Sequence, residues 1–597
     1  MSRQRGSAAS LLHNALQQAG KGQLQPALIS LEAAVRLSPN DAVLHHNRGL
    51  LLRQLGQGPA ASRALHRAHQ LQPSWLEPVL ALTEQALEAP VAPAEHRAAL
   101  EQALSQPAWS NNSRALYLRG RLAEHNADLA AAEQHYQAAL EQTPPLLLAQ
   151  QQLACLLLAQ ERWSEAQEQL ERLLSQQPNR ADLLSNLAIA LLRQNKLRQA
   201  LPVAERALAA VQGDEARASV LVNLGSILQE LGERERARQS YQEALDLDPC
   251  QANALLNLGV LDLQQRDLDG AEWHYRQALL LRPGDPRTEV NLAGVLLLQG
   301  RTQEGWQHYE ARLGGSSELL QRPEGLPLWQ GQPLSGDLLL VHEQGLGDTF
   351  QFIRYAQLLK QLGVRCQFQG PAKLHSLLLR SGLVSQCIQD GESPPSDAEA
   401  WIPMLSLPRL LTTKPTNQPY LTADPRLVKG WHQQLGPAPG LRIALHWQGQ
   451  PDHEFTVSRG RSFPLNTLAP LLSLADVEWV SLQKGPGSEQ AQQEPFANHW
   501  HPQQPRIDAA WDFEDAAAIL SCCDGLVTSD SGLAHLAGAL GCRVWLLLPW
   551  LAEWRWGLEG SSTPWYAHHT LLRQQQEGDW SDPVDQLCNE LNTLTQG

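Results

Sequence analysis

Small, aromatic and proline positions recur at a fixed interval through the first half of this 597-residue chain. Gly225 and Gly259 lie 34 positions apart, as do Ala237 and Ala271, Tyr241 and Tyr275, Ala244 and Ala278, and Pro249 and Pro283. The same frame runs back through Gly120, Ala132, Tyr136, Ala139 and Pro144, then catches Ala154, Ala166 and Pro178, and after those Ala188, Ala200 and Ala207. Near the start it meets Ala15, Ala27, Ala34 and Pro39, followed by Gly49, Ala61, Ala68 and Pro73. Small residues let two antiparallel helices approach closely, an aromatic fills the gap between them, and proline closes the second helix. The pattern predicts about nine helix pairs over residues 1–315. The third pair, around Trp75 to Pro107, is degenerate, and the last keeps Tyr309 but has Ala293 and Gly305 at the small positions.

After Leu313 the period disappears. Residues 314–333 read as a linker, and 13 of the chain's 18 tryptophans lie from Trp329 onward. Apolar runs now have strand length and alternate with helical stretches, which predicts buried parallel strands with helices on both faces. The predicted strands are 338–342, 364–369, 441–447, 479–482, 525–529 and 543–548; the helices are 349–362, 466–474, 515–522 and 533–540. A Leu-Gly-Pro-Ala-Pro-Gly break at 435–440 divides the region into lobes spanning 316–436 and 437–597. Ligands of such folds bind beyond the carboxyl ends of the strands, which puts the expected site in the cleft between the lobes. Residues 574–597 are expected to form a terminal helix crossing back toward the first lobe.

The 34-residue frame resembles the tetratricopeptide repeat (TPR), whose arrays are superhelices with a concave groove. Asn47, Asn186, Asn223, Asn257 and Asn291 each precede the first small position by two residues. A carboxamide donates and accepts at once, so a row of them on the concave side would clamp a peptide backbone without reading its side chains. A similar asparagine ladder occurs in eukaryotic protein O-GlcNAc transferases. The alternative is that these amides bond within the array.

Charge and composition narrow the partners. The net charge of −15 and the absence of a basic stripe argue against nucleic acid. No apolar run reaches membrane-spanning length, and the first ten residues lack the apolar core of a secretion signal. Eight cysteines with no C-x-x-C pair read as small apolar residues in a reducing cytoplasm.

Several segments of the second half then stand together. His342-Glu343-Gln344-Gly345-Leu346-Gly347-Asp348 with Phe350–Tyr355 opens the first lobe, and Trp401–Pro408 ends near its last strand. Trp447-Gln448-Gly449, Arg461–Leu465 and Ser481–Gln483 follow in the second lobe. Then comes Asp530-Ser531-Gly532-Leu533-Ala534-His535, and after it Trp554-Arg555-Trp556 and Trp565-Tyr566. Together they resemble bacterial TPR-repeat glycosyltransferases, with a catalytic part similar to the heptosyltransferase-like glycosyltransferase family nine. The resemblance implies a fold class of an all-α TPR superhelix followed by an α/β GT-B region of two doubly wound lobes. It also implies a nucleotide-diphospho-sugar donor and metal-independent, inverting transfer.

Glycosyl transfer needs a base for the acceptor hydroxyl and a cradle for the leaving diphosphate. Asp530, Ser531 and Gly532 stand at a strand-to-helix turn, where free N–H groups and a helix dipole favour an anion. In the family the matching stretch, including Leu533 and His535, contacts the donor's diphosphate and sugar. The competing reading makes Asp530 or Ser531 a helix cap and His535 a buried core histidine. Gly345 and Gly347 make room at the corresponding turn of the first lobe. Asp348 matches the family's proposed base, although a helix start is expected to lower its pKa; Glu343 is the alternative base, and His342 ranks behind both. Arg461, with Arg459 as a rival, and Lys484 are candidate cations for the diphosphate. Trp447, Trp554 and Trp565 are candidates for stacking on base or sugar, or else core. No metal or other cofactor is expected, because the Asp-x-Asp pairs Asp246/Asp248 and Asp267/Asp269 fall in the repeats. The expected acceptor is a protein or a glycan presented by the repeat groove. The alternatives are a TPR scaffold with an inactive nucleotide-binding domain and a nucleotide-sugar epimerase.

Overall fold

The computed structural model describes residues 7–88, 94–314, 320–411, 416–450 and 460–596. The chain divides into two compact units, Met1–Pro249 and Cys250–Gly597.

Among the described residues, the first unit consists of antiparallel helix pairs, from Ala8–Gly20 with Leu24–Leu37 to Asp214–Glu230 with Arg234–Leu247. The frame positions are the contacts between paired helices. Ala27, Ala61, Ala132, Ala166, Ala200 and Ala237 have no exposed surface. A Cβ on Gly120 would stand 2.4 Å from the Tyr136 ring, and one on Gly225 would stand 2.5 Å from Tyr241. The repeat therefore works as a knob and a hole: the ring occupies the volume that glycine leaves empty. The degenerate pair, Glu77–Glu88 with Ala94–Leu104, is followed by a short 3-10 turn, Pro107–Trp109, that buries Trp109.

The second unit begins with two further pairs of the same kind, Ala252–Gln264 with Leu268–Leu281 and Pro286–Leu298 with Thr302–Tyr309. Gly259 meets Tyr275 as the earlier glycines meet their tyrosines. The last pair joins one core with the region that follows: Trp306 lies edge-on to Phe352 at 5.8 Å and to Trp554 at 5.1 Å. These two helix pairs thus belong to the same compact unit as the sheets.

Two all-parallel sheets follow. The first contains β1 (Asp337–Val341), β2 (Cys366–Gln369), β3 (Cys387–Ile388) and β4 (Ala398–Pro403) in the order β3-β2-β1-β4. The second contains β5 (Leu441–His446), β6 (Val477–Ser481), β7 (Gly525–Thr528), β8 (Val544–Leu548) and β9 (His569–Arg573) in the order β6-β5-β7-β8-β9. β1, β7 and β8 are buried along their whole length, as strands covered on both faces must be. The fold is thus an array of TPR-type helix pairs followed by a two-sheet α/β region of GT-B type.

Differences from the sequence expectation have local causes. β3 and β9 were not expected, and β4 only as a strand without bounds near Trp401: β3 has two residues, β4 opens on the half-buried Ala398 and exposed Glu399, and β9 mixes His569, Thr570 and Arg573 into an apolar run. The single helix expected over 349–362 is two, Leu346–Phe352 and Tyr355–Gln361, with the buried Arg354 at the joint. The 466–474 stretch is a 3-10 helix, Leu465–Ser473, which contains Pro470. Residues of the expected linker pair with β4, through Trp329 N–H to the Trp401 carbonyl at 2.8 Å and Trp401 N–H to Pro327 at 3.0 Å. The terminal helix, Ser581–Gln596, does not cross to the first lobe. Its Val584, Leu587 and Leu591 enter the second lobe's core beside Ile443, Leu445 and Trp545, because that stripe completes the apolar cover of the second sheet.

Candidate functional site

Two strand-to-helix turns meet at the carboxyl ends of the sheets. After β1 the chain turns at Gln344, which has a left-handed φ of 61°, and enters the helix Leu346–Phe352 with Gly345 at its N-cap. After β7 it enters the helix Gly532–Leu540 behind Ser531. A Cβ on Gly347 would lie 3.0 Å from His535 Cδ2 and 3.3 Å from Gly532 Cα. Each glycine thus allows the other lobe's backbone to approach, and Gly345, Gly347, Asp348, Asp530, Ser531, Gly532, Leu533 and His535 come together.

Asp348 sits at the centre. One carboxylate oxygen accepts from Gly345 N–H at 2.9 Å, and the other is ion-paired with Arg555 of the second lobe. The expected lowering of its pKa is reversed. Burial raises it, Glu553 adds to the rise, and Arg555, the Gly345 N–H and Arg461 oppose without cancelling. Arg555 is buried, also pairs with Glu553, and donates from Nε to Gln351 Oε1 at 2.6 Å. The other end of that amide, Gln351 Nε2, is buried without a hydrogen-bond partner.

On the second-lobe side, Ser531 makes no side-chain cap bond to its helix and instead meets Thr528 Oγ1 at 3.0 Å. Ser529 Oγ is buried with no hydrogen-bond partner. Asp530 is pushed up to about 6, first by burial, then by Glu553, against Arg555 and Arg461. His535 Nδ1 lies 2.9 Å from Tyr566 Oη, and its ring stacks on Trp556 at 5.2 Å. Burial, with Arg555 second, holds it neutral. The charge of Arg461 acts on Asp348, Asp530, His446 and His535, so this arginine belongs to the same cluster. Arg459 lies outside the described residues.

Other expected residues are placed elsewhere or occupied. Glu343 is 2% exposed, and its carboxylate is engaged, accepting from Arg312 and from Leu405 N–H at 2.8 Å. His342 Nδ1 lies 2.5 Å from Thr349 Oγ1. Lys484 donates to the Ile507 carbonyl at 2.5 Å and lies 6.0 Å from the centre of the Trp511 ring, which is 71% exposed. Trp447 is a core residue, stacked on Trp500 with its Nε1 donating to the Gly487 carbonyl at 3.2 Å. Trp554 and Trp565 pack on Phe352. Asp267 caps the helix Leu268–Leu281 by accepting from Gly270 N–H at 3.0 Å.

The five asparagines are all half-buried. Asn47 Nδ2 donates back to the Val43 carbonyl at 2.8 Å, and Asn223 Nδ2 donates to Ser185 Oγ at 2.9 Å. At least these two engage bonds within the array.

Sequence reasoning missed Glu553, and it gave no site role to Gln351, Arg555 and Tyr566, which stand in the segments that carry the resemblance. A signal existed for Arg555. An arginine between two tryptophans, Trp554 and Trp556, is placed where its charge must be answered by buried partners rather than water.

The fold and this junction define a class: tetratricopeptide-type helix pairs followed by an α/β region of GT-B type whose two strand-to-helix turns meet. Comparison with known proteins agrees. Residues 480–547 match the glycosyltransferase family 9 (heptosyltransferase) model, and residues 94–146, 179–249 and 222–286 match tetratricopeptide-repeat models. The chain therefore carries tetratricopeptide repeats, and a stretch of its second lobe is similar to glycosyltransferase family 9.

Protein FlbA of Caulobacter vibrioides is 28% identical over 330 residues, which span 50% of this chain and 54% of that protein. The chain thus spans about half the length of this curated relative. Among solved structures, a tetratricopeptide repeat protein from Parabacteroides merdae is 20% identical, with a TM-score of 0.32 over 40% of this chain and 93% of that one. Yeast Tom70 is 18% identical, with a TM-score of 0.31 over 52% of this chain and 65% of that one. Among the described residues no helix is long and apolar enough to cross a membrane.

Proposed function

We propose that this protein is a cytoplasmic glycosyltransferase that moves a sugar from a nucleotide-diphospho-sugar to an acceptor hydroxyl, with inversion and without a metal ion. The observation that carries the reading is the meeting of the Gly345–Asp348 turn with the Asp530–His535 turn, glycine against glycine. In this reading Asp348 takes the acceptor's proton, and its raised pKa suits a base better than an ordinary carboxylate would. The leaving diphosphate settles at the uncapped start of the helix Gly532–Leu540, where Arg461 and Arg555 answer its charge. The buried, partnerless Ser529 hydroxyl is available to the donor. A protein or glycan acceptor is presented by the helix pairs of residues 1–249.

The test is thermal-shift screening of the full chain against nucleotide sugars and free nucleotides, heptose donors included, repeated on Asp530→Ala. Selective binding raises the melting temperature by mass action. A rise with one nucleotide that is lost in the variant is the expected result, followed by transfer of sugar mass to the acceptor. No shift with any member of the panel overturns the reading and favours a scaffold. Retained acceptor use after removal of residues 1–249 overturns the role given to the repeats.

A further inference from the structure

The ion pair between Asp348 and Arg555 poses a chemical problem. A carboxylate bonded to a guanidinium has one oxygen occupied, and its other oxygen is held by Gly345 N–H. In this arrangement each oxygen of Asp348 already accepts one hydrogen bond, and the Arg555 charge holds down its basicity. Arg555 is equally committed, to Asp348, Glu553 and Gln351.

Around them the charges do not balance for an incoming anion. Asp348, Asp530 and Glu553 are three carboxylates, and the cations that act on Asp530 are Arg555 and Arg461. A diphosphate entering beside Asp530 must draw on these same arginines. Arg555 has its partner Asp348 across the cleft. Its neighbour Trp556 stacks on His535, one turn into the helix Gly532–Leu540, and Gly347, the residue before Asp348, packs on Gly532. The pair therefore stands at the mouth of the expected diphosphate position. Gln351 Nε2, on the amide that accepts from Arg555, is a buried donor without an acceptor. An oxygen-rich ligand beside Arg555 would supply one.

We infer that Arg555 is a shared cation: it holds Asp348 while the donor site is empty and passes to the donor's diphosphate on binding, which frees Asp348 as the base. This rests on the donor site and base of the proposed function. In the transfer that follows, the acceptor oxygen bonds to the sugar's anomeric carbon and its proton goes to Asp348. The bond from that carbon to the diphosphate oxygen breaks, and its electron pair leaves with the diphosphate, beside Arg555. Donor binding thereby precedes acceptor activation, and an acceptor alone meets a base still weakened by the Arg555 charge.

The test uses inorganic pyrophosphate as the probe and calorimetry on the full chain. Four proteins are compared: the wild type, Asp348→Asn, Arg555→Gln and the double variant. Arg555→Gln is expected to weaken pyrophosphate binding by about tenfold or more, as loss of a buried charged partner does. Asp348→Asn is expected to tighten it, because the competitor for Arg555 is gone. The discriminating result is the double variant, in which the tightening should vanish. Equal tightening with and without Arg555 would reflect only the removal of a negative charge and would overturn the sharing. Weaker or unchanged binding in Asp348→Asn would overturn it as well. A wild-type chain that does not bind pyrophosphate overturns the donor site itself, so the two failures are distinguishable. Should Arg555→Gln lose its cooperative melt, Arg555→Lys keeps the buried charge. A single ammonium cannot span Glu553, Asp348 and Gln351 together, so the tightening should shrink there too, and full tightening would again overturn the inference.

Discussion

Arg312 grips Glu343 with two hydrogen bonds of 2.9 Å, Nε to one carboxylate oxygen and Nη2 to the other. Arg312 follows the last repeat-type helix, and Glu343 follows β1, so this bidentate pair ties that helix pair to the turn that carries Asp348. Tyr309 reinforces it through a 3.3 Å bond to Gln344, the residue with the left-handed φ. Both charged partners are buried, with side chains 8% and 3% exposed.

Removing one partner strands the other. Arg312→Ala should cost about 3 kcal/mol or more of stability, because a buried carboxylate is left unpaired. Glu343→Gln in the same chain should recover part of that loss. Urea unfolding of the two variants checks both statements, and an Arg312→Ala chain as stable as the wild type would contradict the buried-pair account.

Gly347→Ala should disable the junction of the turns. The added carbon would meet His535 at 3.0 Å, a tight contact, and that ring is held on its other side by Trp556 and Tyr566. Overpacking of this kind costs about 1–3 kcal/mol. Nucleotide-sugar affinity should fall by about tenfold, in line with that energy. Thermal shift with the donor found by screening measures it.

Two alanine substitutions in the repeat-type helices of the second unit should have opposite signs. Gly259 faces Tyr275 at 2.5 Å from its missing Cβ, so Gly259→Ala should destabilise by about 1–3 kcal/mol. Gly294 lies inside the helix Pro286–Leu298 with nothing within 4 Å, so Gly294→Ala should stabilise by about 0.5–1 kcal/mol. Thermal melts of the pair separate packing from helix propensity.

Asp530 should make stability depend on pH in a defined sense. Its carboxyl is raised from the ordinary 3.8 to about 6, chiefly by burial, so the native state holds this proton more tightly than the unfolded chain does. Its contribution to stability therefore falls as pH rises from about 4 to about 6. Asp530→Asn should be more stable than the parent at neutral pH by about 1–3 kcal/mol, with the difference closing toward pH 4. His446, lowered to about 4 by burial and then Arg461, contributes the opposite slope between that value and 6.5. Comparing variant with parent cancels it. A difference that does not change with pH would show that Asp530 does not hold its proton as described.

The architecture was legible in the sequence wherever an element's own residues pay for it once and locally. Gly259 and Tyr275 announce a helix pair because their contact lies within a single repeat, and β1 and β7 announce buried strands because both faces are apolar. The glycine turns and the Asp530–His535 stretch were legible for a similar reason, since a tight turn before a helix demands particular residues in order.

What the sequence alone determined was the repeat period, the two-lobed α/β order and the candidate turns, because spacing along a chain is set by helix and strand geometry. The tertiary structure decided which charge answers which. Asp348 and Arg555 are 207 residues apart, and Glu343 and Arg312 are 31 apart, and no local pattern specifies either pairing. It also reversed the pKa expected for Asp348, since burial among residues from both lobes outweighs the helix start on which that carboxylate sits. Electrostatics depends on distance through space and on exclusion of water, and both come into being only when the two turns meet.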